Sequence, residues 1–291
     1  MTSPDERFLI GLIGADISSS ISPALHEREA DRRGLRYLYT LVDLSALGLA
    51  AADVGDLVTA AQRLGFRGLN ITHPCKQEVL KHLDELSPEA AELGAVNTVV
   101  FDRGRSTGHN TDRYGFAAGL ARALPGVPVQ RVVLIGAGGA GAAVASAMAR
   151  AGTRELVIVD VDDERARRLA AMLSHHHDLS VETGHTATTP ELLAGADGLI
   201  NATPVGMEGH PGLPVPAEQL PAGSWVADVV YRPLETGLLR AARERGCRTA
   251  GGGGMVVFQA AESFRLFSGL VADEEQMNRD FAELTGGDGD A

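Results

Sequence analysis

The chain has 291 residues, 44% hydrophobic and 22% charged, the balance of an ordinary globular protein with length for one large or two medium domains. Its formal net charge of −12 argues against nucleic acid or an anionic membrane as a main partner, while a small anion could still be held by local dipoles and hydroxyls. Two cysteines, Cys75 and Cys247, are too few for a secreted disulfide framework, so both are expected as reduced thiols in the cytoplasm.

No apolar run reaches the roughly 18–20 residues of a membrane span. The N-terminal MTSPDERFLI lacks the basic-then-apolar order of a signal peptide. RFLIGLIGA (7–15) reads as a buried strand. SPALHEREADRRG (22–34) reads as a helix, with Ser22 as N-cap, Pro23 at the first helical position and Gly34 as the stop. RYLYTLVDL (36–44) is a second strand, about 53–65 is helical, RGLNIT (67–72) is a third strand, and helix patterns fill 76–92. AVNTVVFD (95–102) and RSTGHN (105–110) predict a β-hairpin across Arg103-Gly104.

The middle of the chain reads as strand, glycine-rich turn and Ala-rich helix over 130–152, then strands in ELVIVD (155–160), DGLINAT (197–203) and SWVADVV (224–230), with helical stretches around them. This rhythm implies a parallel sheet covered on both faces. GGGG (251–254) interrupts it, MVVFQAAESFRLFSG (255–269) reads as a helix, and the polar tail TGGDGDA is expected to be disordered. The expected fold is α/β: an N-terminal α/β substrate domain plus a Rossmann-type doubly wound nucleotide-binding domain, with a C-terminal helix returning to the first domain. The domains are placed at 1–113 plus 252–291 and at 114–251.

Gly136, Gly138 and Gly141 form G-x-G-x-x-G between an apolar strand and a helix. The first glycine suits the tight turn, the second lets the backbone approach a pyrophosphate, and the third permits close helix packing. The helix N-terminus favours the phosphate charge. Asp160 ends the next strand, 19 positions after Gly141, near the spacing expected of a ribose-binding carboxylate. A carboxylate there suits the adenosine ribose of NAD and repels the 2′-phosphate of NADP, although Arg165, Arg167 and Arg168 could offset it. NAD is expected and NADP is the alternative.

Hydride transfer to a ketone creates an alkoxide that needs a proton. Lys76, at the mouth of a strand, could supply it, with Asp112 favouring its ammonium form; a solvated lysine is the simpler reading of Lys76 alone. Ser20 and Ser22, before a helix, could hold a carboxylate. Asn97 and Asn110 lie near strand ends, where turn residues are also common. HHH (175–177) reads as a surface turn rather than a metal site.

Taken in order, SISP (20–23), LNITHPCK (69–76), LGAVNT (93–98), GHNTD (108–112), GAGGAG (136–141), NATPVGM (201–207), DVVYRP (228–233) and GGGGMVVFQA (251–260) resemble the shikimate dehydrogenase family, including its quinate/shikimate branch. The resemblance implies reversible oxidation of a ring hydroxyl of shikimate or quinate to a ketone. It implies Lys76 as the proton-transfer residue, Asp112 as its partner, and Ser20 and Ser22 on the substrate carboxylate. Thr72, Asn97, Asp112 and Gln259 would bind ring hydroxyls, with Tyr231 close by. Gly136, Ala137, Gly138, Gly139 and Ala140 would hold the pyrophosphate, and Thr203, Val229 and Gly252 would line the adenosine or nicotinamide.

NADP-using members often carry an Asn-Arg-Thr type motif where this chain has Asp160-Val161-Asp162, which fits the NAD-using branch. Some quinate-favouring relatives carry Thr where this chain has Ser22, so the choice among shikimate, quinate and amino-substituted analogues stays open. A homodimer is the assembly considered, and a nucleotide-sensing regulator on the same scaffold is the non-enzyme alternative.

Overall fold

The computed structural model describes residues 7–185, 189–220 and 222–286. The N-terminal stretch read for a signal peptide falls partly, and the polar tail mostly, outside these residues. The chain divides into two compact units, the described parts of Met1–Thr111 with Gln259–Gly286 and of Asp112–Phe258.

The first unit is built on β1 (Arg7–Gly14), whose apolar run is buried along most of its length. After α1 (Ser22–Arg32), the strand β2 (Arg36–Asp43) pairs parallel to β1 on one side. Helices α2 (Leu44–Leu47) and α3 (Val54–Arg63) lead to β3 (Gly68–Ile71), parallel to β1 on the other side. Then follow β4 (Glu85–Leu86), α4 (Pro88–Leu93), β5 (Thr98–Asp102) and β6 (Arg105–His109). The sheet order is β2-β1-β3-β5-β6-β4, and β5 runs antiparallel to both of its neighbours. The predicted hairpin is present: Arg103 and Gly104 both have positive φ, 48° and 78°, as a tight primed turn requires.

Two local expectations are corrected. Residues 76–92 do not form one helical run. Lys76 and Gln77 lie in a turn, Glu78–His82 is a short 3-10 segment, and Leu83 is extended at φ −113°, ψ 146°. The carboxylate of Asp84 accepts from the backbone N–H and hydroxyl of Ser106, at 2.7 and 2.9 Å, which draws the chain onto β6 as β4. Pro88 disfavours a helical Ser87, which caps α4 by accepting from the Ala90 N–H. Ser22 is not an N-cap but the first helical residue; Ile21 is the cap, and the Ser22 N–H donates to Ser20 Oγ at 3.3 Å.

The second unit contains α5 (Asp112–Ala123), β7 (Arg131–Ile135), α6 (Gly139–Arg150), β8 (Glu155–Asp160), α7 (Asp163–His176) and β9 (Ser180–His185). These are followed by α8 (Thr189–Leu192), β10 (Gly198–Asn201), β11 (Trp225–Asp228), α9 (Gly237–Glu244) and β12 (Arg248–Ala250). All six strands are parallel, in the order β12-β11-β10-β7-β8-β9. This is the doubly wound, Rossmann-type sheet. Alternate residues of β7 serve opposite faces: Val132 and Leu134 join one apolar cluster, Val133 and Ile135 the other.

The last helices are α10 (Gly253–Ser268) and α11 (Glu274–Thr285). Helix α10 starts two residues before the sequence reading, inside the glycine run. Residues from Gln259 onward belong to the first unit. There α11 is tied to α1: Arg32 bridges the buried Glu29 and Asp280, both at 2.7 Å, and Glu29 also accepts the Asp273 N–H at 2.9 Å.

His26 of α1 is 1% exposed and packs 4.9 Å from the ring of Tyr39 and 6.3 Å from Phe264 and Phe267. Burial pushes its pKa down to about 3. The unfolded chain therefore takes up a proton near pH 6.5 that the folded chain refuses, and stability falls as pH drops through that range. Between pH 7.5 and 5.5, urea unfolding of the wild type is expected to lose about 1.4 kcal/mol more than that of His26→Phe.

Candidate active site

In the first unit, the C-terminal ends of β1 and β3, the start of β5 and the end of β6 lie together at one end of the sheet. The backbone locks these ends. Thr72 N–H donates to Ile13 O at 2.9 Å, Ile71 N–H to Asn97 O at 2.8 Å, and Asn97 N–H to His109 O at 3.0 Å. A Cβ on Gly14 would collide with the Thr72 methyl, so that glycine is needed for the side chain's seat. The turn into Lys76 is held by Ala15 N–H on His73 O at 2.9 Å and by Val96 N–H on Lys76 O at 2.8 Å. Lys76 is half-buried. Cys75 beside it is fully buried in the apolar core, where burial first, and Glu78 second, push its thiol up.

Ser20 and Ser22 are half-buried, with hydroxyls 3.2 Å apart. The loop that carries Ser20 is fastened by Asp43, whose carboxylate accepts from Asp16 and Ile17 N–H at 3.0 Å each. Asn97 is 3% exposed, and its Oδ1 accepts from Thr111 N–H at 2.8 Å and from the Thr98 hydroxyl at 3.0 Å. Asn110 donates to Ala95 O at 3.0 Å, a role in holding the turn. Gln259 lies half-buried on α10. The sequence reading missed Asn70, Thr98 and Ser263, all buried beneath Asn97. Their signal was polar residues in strands and a helix that otherwise read as apolar.

In the second unit, Gly136 follows β7 with φ 103°, and a Cβ there would lie 2.7 Å from Ala202 O. A Cβ on Gly141 would collide with the carbonyl of Gly136. Those two glycines are required by the protein's own packing. Gly138 is not: a Cβ there would meet nothing within 4 Å. Gly138 is the N-cap of the 12-residue helix α6 and offers no side-chain hydrogen bond, leaving the first-turn N–H groups without a side-chain cap. Ala137 is buried, and Gly139 and Ala140 are half-buried on the same turn.

Asp160, 6% exposed at the end of β8, accepts from Ala137 N–H at 2.7 Å and from Asp162 N–H at 2.9 Å, so it supports the glycine turn. Arg165 Nη1 stands 4.0 Å from it. Thr203 is oriented by Asn201, whose Oδ1 accepts from its hydroxyl at 2.7 Å. Asn201 in turn donates to the buried Asp228 at 2.9 Å. Burial raises Asp228, against hydrogen bonds from Thr236, Val230 and Asn201 that lower it. Val229 and Tyr231 are half-buried, and Gly252 is glycine because a Cβ would collide with Val229 O. Asp112 is 5% exposed as the first residue of α5.

Among the described residues no group of three or more His, Cys, Asp or Glu could hold a metal ion, and no helix is long and apolar enough to cross a membrane. His175 and His176 lie at the end of α7 with rings edge-on at 4.8 Å. A glycine turn whose middle glycine its own packing does not require, an uncapped helix start and a strand-end aspartate together fit a dinucleotide.

The fold and this turn define a protein of the dinucleotide-binding class. A family profile described as shikimate dehydrogenase substrate binding domain matches residues 12–99, and one described as shikimate / quinate 5-dehydrogenase matches 120–205. The chain belongs to the shikimate dehydrogenase family. It is 57% identical over 282 residues to a shikimate dehydrogenase (NADP(+)) of Streptomyces avermitilis, covering 97% of each chain. It is 44% identical over 282 residues to a quinate/shikimate dehydrogenase (NAD(+)) of Corynebacterium glutamicum, covering 96% of this chain and 100% of the other. The solved quinate dehydrogenase of Corynebacterium glutamicum in complex with NAD superposes with a TM-score of 0.89 at 43% identity, over 95% of this chain and 99% of that one.

The glycines predict a contrast in stability. Gly141→Ala is expected to cost about 1–3 kcal/mol by overpacking, and Gly138→Ala to stay within about 0.5 kcal/mol of wild type, both read by urea denaturation.

Proposed function

We propose that the protein reversibly transfers hydride between a nicotinamide cofactor and a ring hydroxyl or ketone of shikimate or quinate. The observation that carries this reading is the collection of Ser20, Ser22, Thr72, Lys76 and Asn97 at one end of a single sheet, in a chain of this family. In this reading the two serine hydroxyls hold the substrate carboxylate, and Thr72, Asn97, Asp112 and Gln259 address ring oxygens, with Tyr231 beside them. Lys76 donates a proton to the carbonyl oxygen during reduction and removes it from the alcohol during oxidation. Asp112 is the partner that orients Lys76 in this reading.

Gly136, Ala137, Gly138, Gly139 and Ala140 hold the pyrophosphate, Asp160 meets the adenosine ribose, and Thr203, Val229 and Gly252 line the remainder. When bound, the cofactor accepts or supplies the hydride. NAD is the first reading, because a buried carboxylate ends β8. NADP is the second, supported by the 57% identical relative named for it and by Arg165 beside Asp160. A cytoplasmic location belongs to the same reading.

Steady-state kinetics on shikimate and quinate with both cofactors test the assignment. Turnover of neither acid, with dinucleotide binding intact, would favour the regulator. Lys76→Ala is expected to lower kcat by about 10²–10⁴-fold with the Kd for NAD unchanged; wild-type turnover in that variant would remove Lys76 from the chemistry. Asp160→Asn keeps an oxygen for Ala137 N–H, gives up the bond from Asp162 N–H and loses the charge. It is expected to raise the NADP-to-NAD ratio of kcat/KM by on the order of 10-fold.

A further inference from the structure

We propose that Ser263 is a positioning residue that closes a one-way ring of hydrogen bonds around the carboxamide of Asn97 and so fixes how Asn97 addresses a substrate oxygen. The inference rests on the substrate reading above and adds to it a residue from the far end of the chain.

The ring has four members. Asn97 Nδ2 lies 2.9 Å from Thr111 Oγ1, Thr111 Oγ1 lies 3.1 Å from Ser263 Oγ, Ser263 Oγ lies 2.9 Å from Thr98 Oγ1, and Thr98 Oγ1 lies 3.0 Å from Asn97 Oδ1. Its sense follows from one donor that cannot be reversed. The backbone N–H of Thr111 points at Asn97 Oδ1 from 2.8 Å, so that atom must be the oxygen and its partner the nitrogen. The Thr98 hydroxyl then donates its single proton to Asn97 Oδ1, which leaves Ser263 to donate to Thr98. The Ser263 proton is thereby committed, so Thr111 donates to Ser263 and accepts from Asn97 Nδ2. Each hydroxyl donates once, and no donor faces a donor.

Asn70 braces the ring from outside. Its Nδ2 lies 3.0 Å from Thr98 Oγ1 and 3.1 Å from Ser263 Oγ, and the Tyr39 hydroxyl fixes its orientation by donating to Asn70 Oδ1 at 2.8 Å. Asn70, Thr98, Thr111 and Ser263 are 7%, 0%, 1% and 0% exposed, so water does not compete for these bonds.

Two consequences reach the substrate. Asn97 Oδ1 already accepts two bonds, so the carboxamide meets a ligand oxygen through Nδ2 as a donor. An ammonium in that place would set donor against donor, which disfavours an amino-substituted ring at the position Asn97 addresses. Ser263 also stands one helical turn after Gln259 on α10, so the same ring registers the helix that carries Gln259.

The test is a double-mutant cycle on kcat/KM for shikimate or quinate, whichever the wild type turns over faster. Ser263→Ala is expected to lower kcat/KM by roughly 10-fold to 50-fold, mainly through KM, with the Kd for NAD unchanged. Added to Asn97→Ala it should cost less than about 2-fold further, because Ser263 acts through Asn97. Should Ser263→Ala fail to fold, Thr98→Val breaks the ring from β5 and Thr98→Ser restores the hydroxyl; the first should follow the same cycle and the second should keep near wild-type KM. Additive losses, or a Thr98→Val variant with wild-type KM, overturn the ring as a positioning device while leaving the reaction intact. If Asn97→Ala alone leaves kcat/KM unchanged in an active enzyme, the assignment of Asn97 to the substrate fails first, and the ring's role with it.

Discussion

The antiparallel seam between β3 and β5 is the constraint on which the proposed substrate half depends. Asn70 stands opposite Thr98, and Ile71 donates to the carbonyl of Asn97 at 2.8 Å. Because β5 runs backwards, its first residues lie beside the last residues of β3, at the same end of the sheet as the last residues of β1, and loops from both chain directions open there. A parallel β5 would start at the opposite end and carry Asn97 with it. The seam also requires Gly68, where a Cβ would run into the Val99 carbonyl and the ring of Phe267. That absence of a side chain lets α10 pack on the sheet and bring Ser263 to the ring.

The second unit shapes its proposed pyrophosphate turn by other means. Its strands are all parallel, and its turn after β7 is shaped by close backbone approach at Gly136 and Gly141. The buried Asp228 holds Asn201, Val230 and Thr236, and through Asn201 it orients Thr203. A formal charge of −12 is no obstacle to anionic ligands in such a fold, since in the proposed reading the groups that meet them are mainly hydroxyls, amide N–H groups and a helix start rather than a broad cationic surface.

Much of this was legible in the sequence, for physical reasons that differ by element. The hairpin was legible because two strand-like runs flank Arg103-Gly104, and Gly104 takes its positive φ of 78° without steric cost. The glycine turn was legible because its spacing is distinctive: Gly136 and Gly141 answer steric demands of the protein's own packing, while a Cβ on Gly138 would meet nothing within 4 Å. The segment 76–92 was not, because its helical spacing of apolar residues is overridden by Asp84 binding Ser106 and by Pro88, contacts that spacing alone does not encode. The edge strands β9 and β12 were missed because one is largely exposed and the other is three residues long, so neither carries a buried run. Ser22 satisfied the pattern of a cap, yet Ser20 two residues earlier supplies the oxygen. The Asn97 ring draws on residues up to 166 positions apart in sequence, Asn97 to Ser263, and only the tertiary fold makes it a unit.

Asp160 shows how a fold can bind a specificity choice to a structural one. Its carboxylate supports the glycine turn through Ala137 N–H at 2.7 Å and, in the proposed reading, also meets the ribose. The bond from Ala137 N–H needs only one oxygen acceptor, which a neutral amide also provides, at the cost of the bond from Asp162 N–H. The second task distinguishes a diol from a phosphate by charge, which an amide does not carry. A change that removes the whole side chain would therefore disturb the turn and the selectivity together, whereas loss of the charge alone separates them.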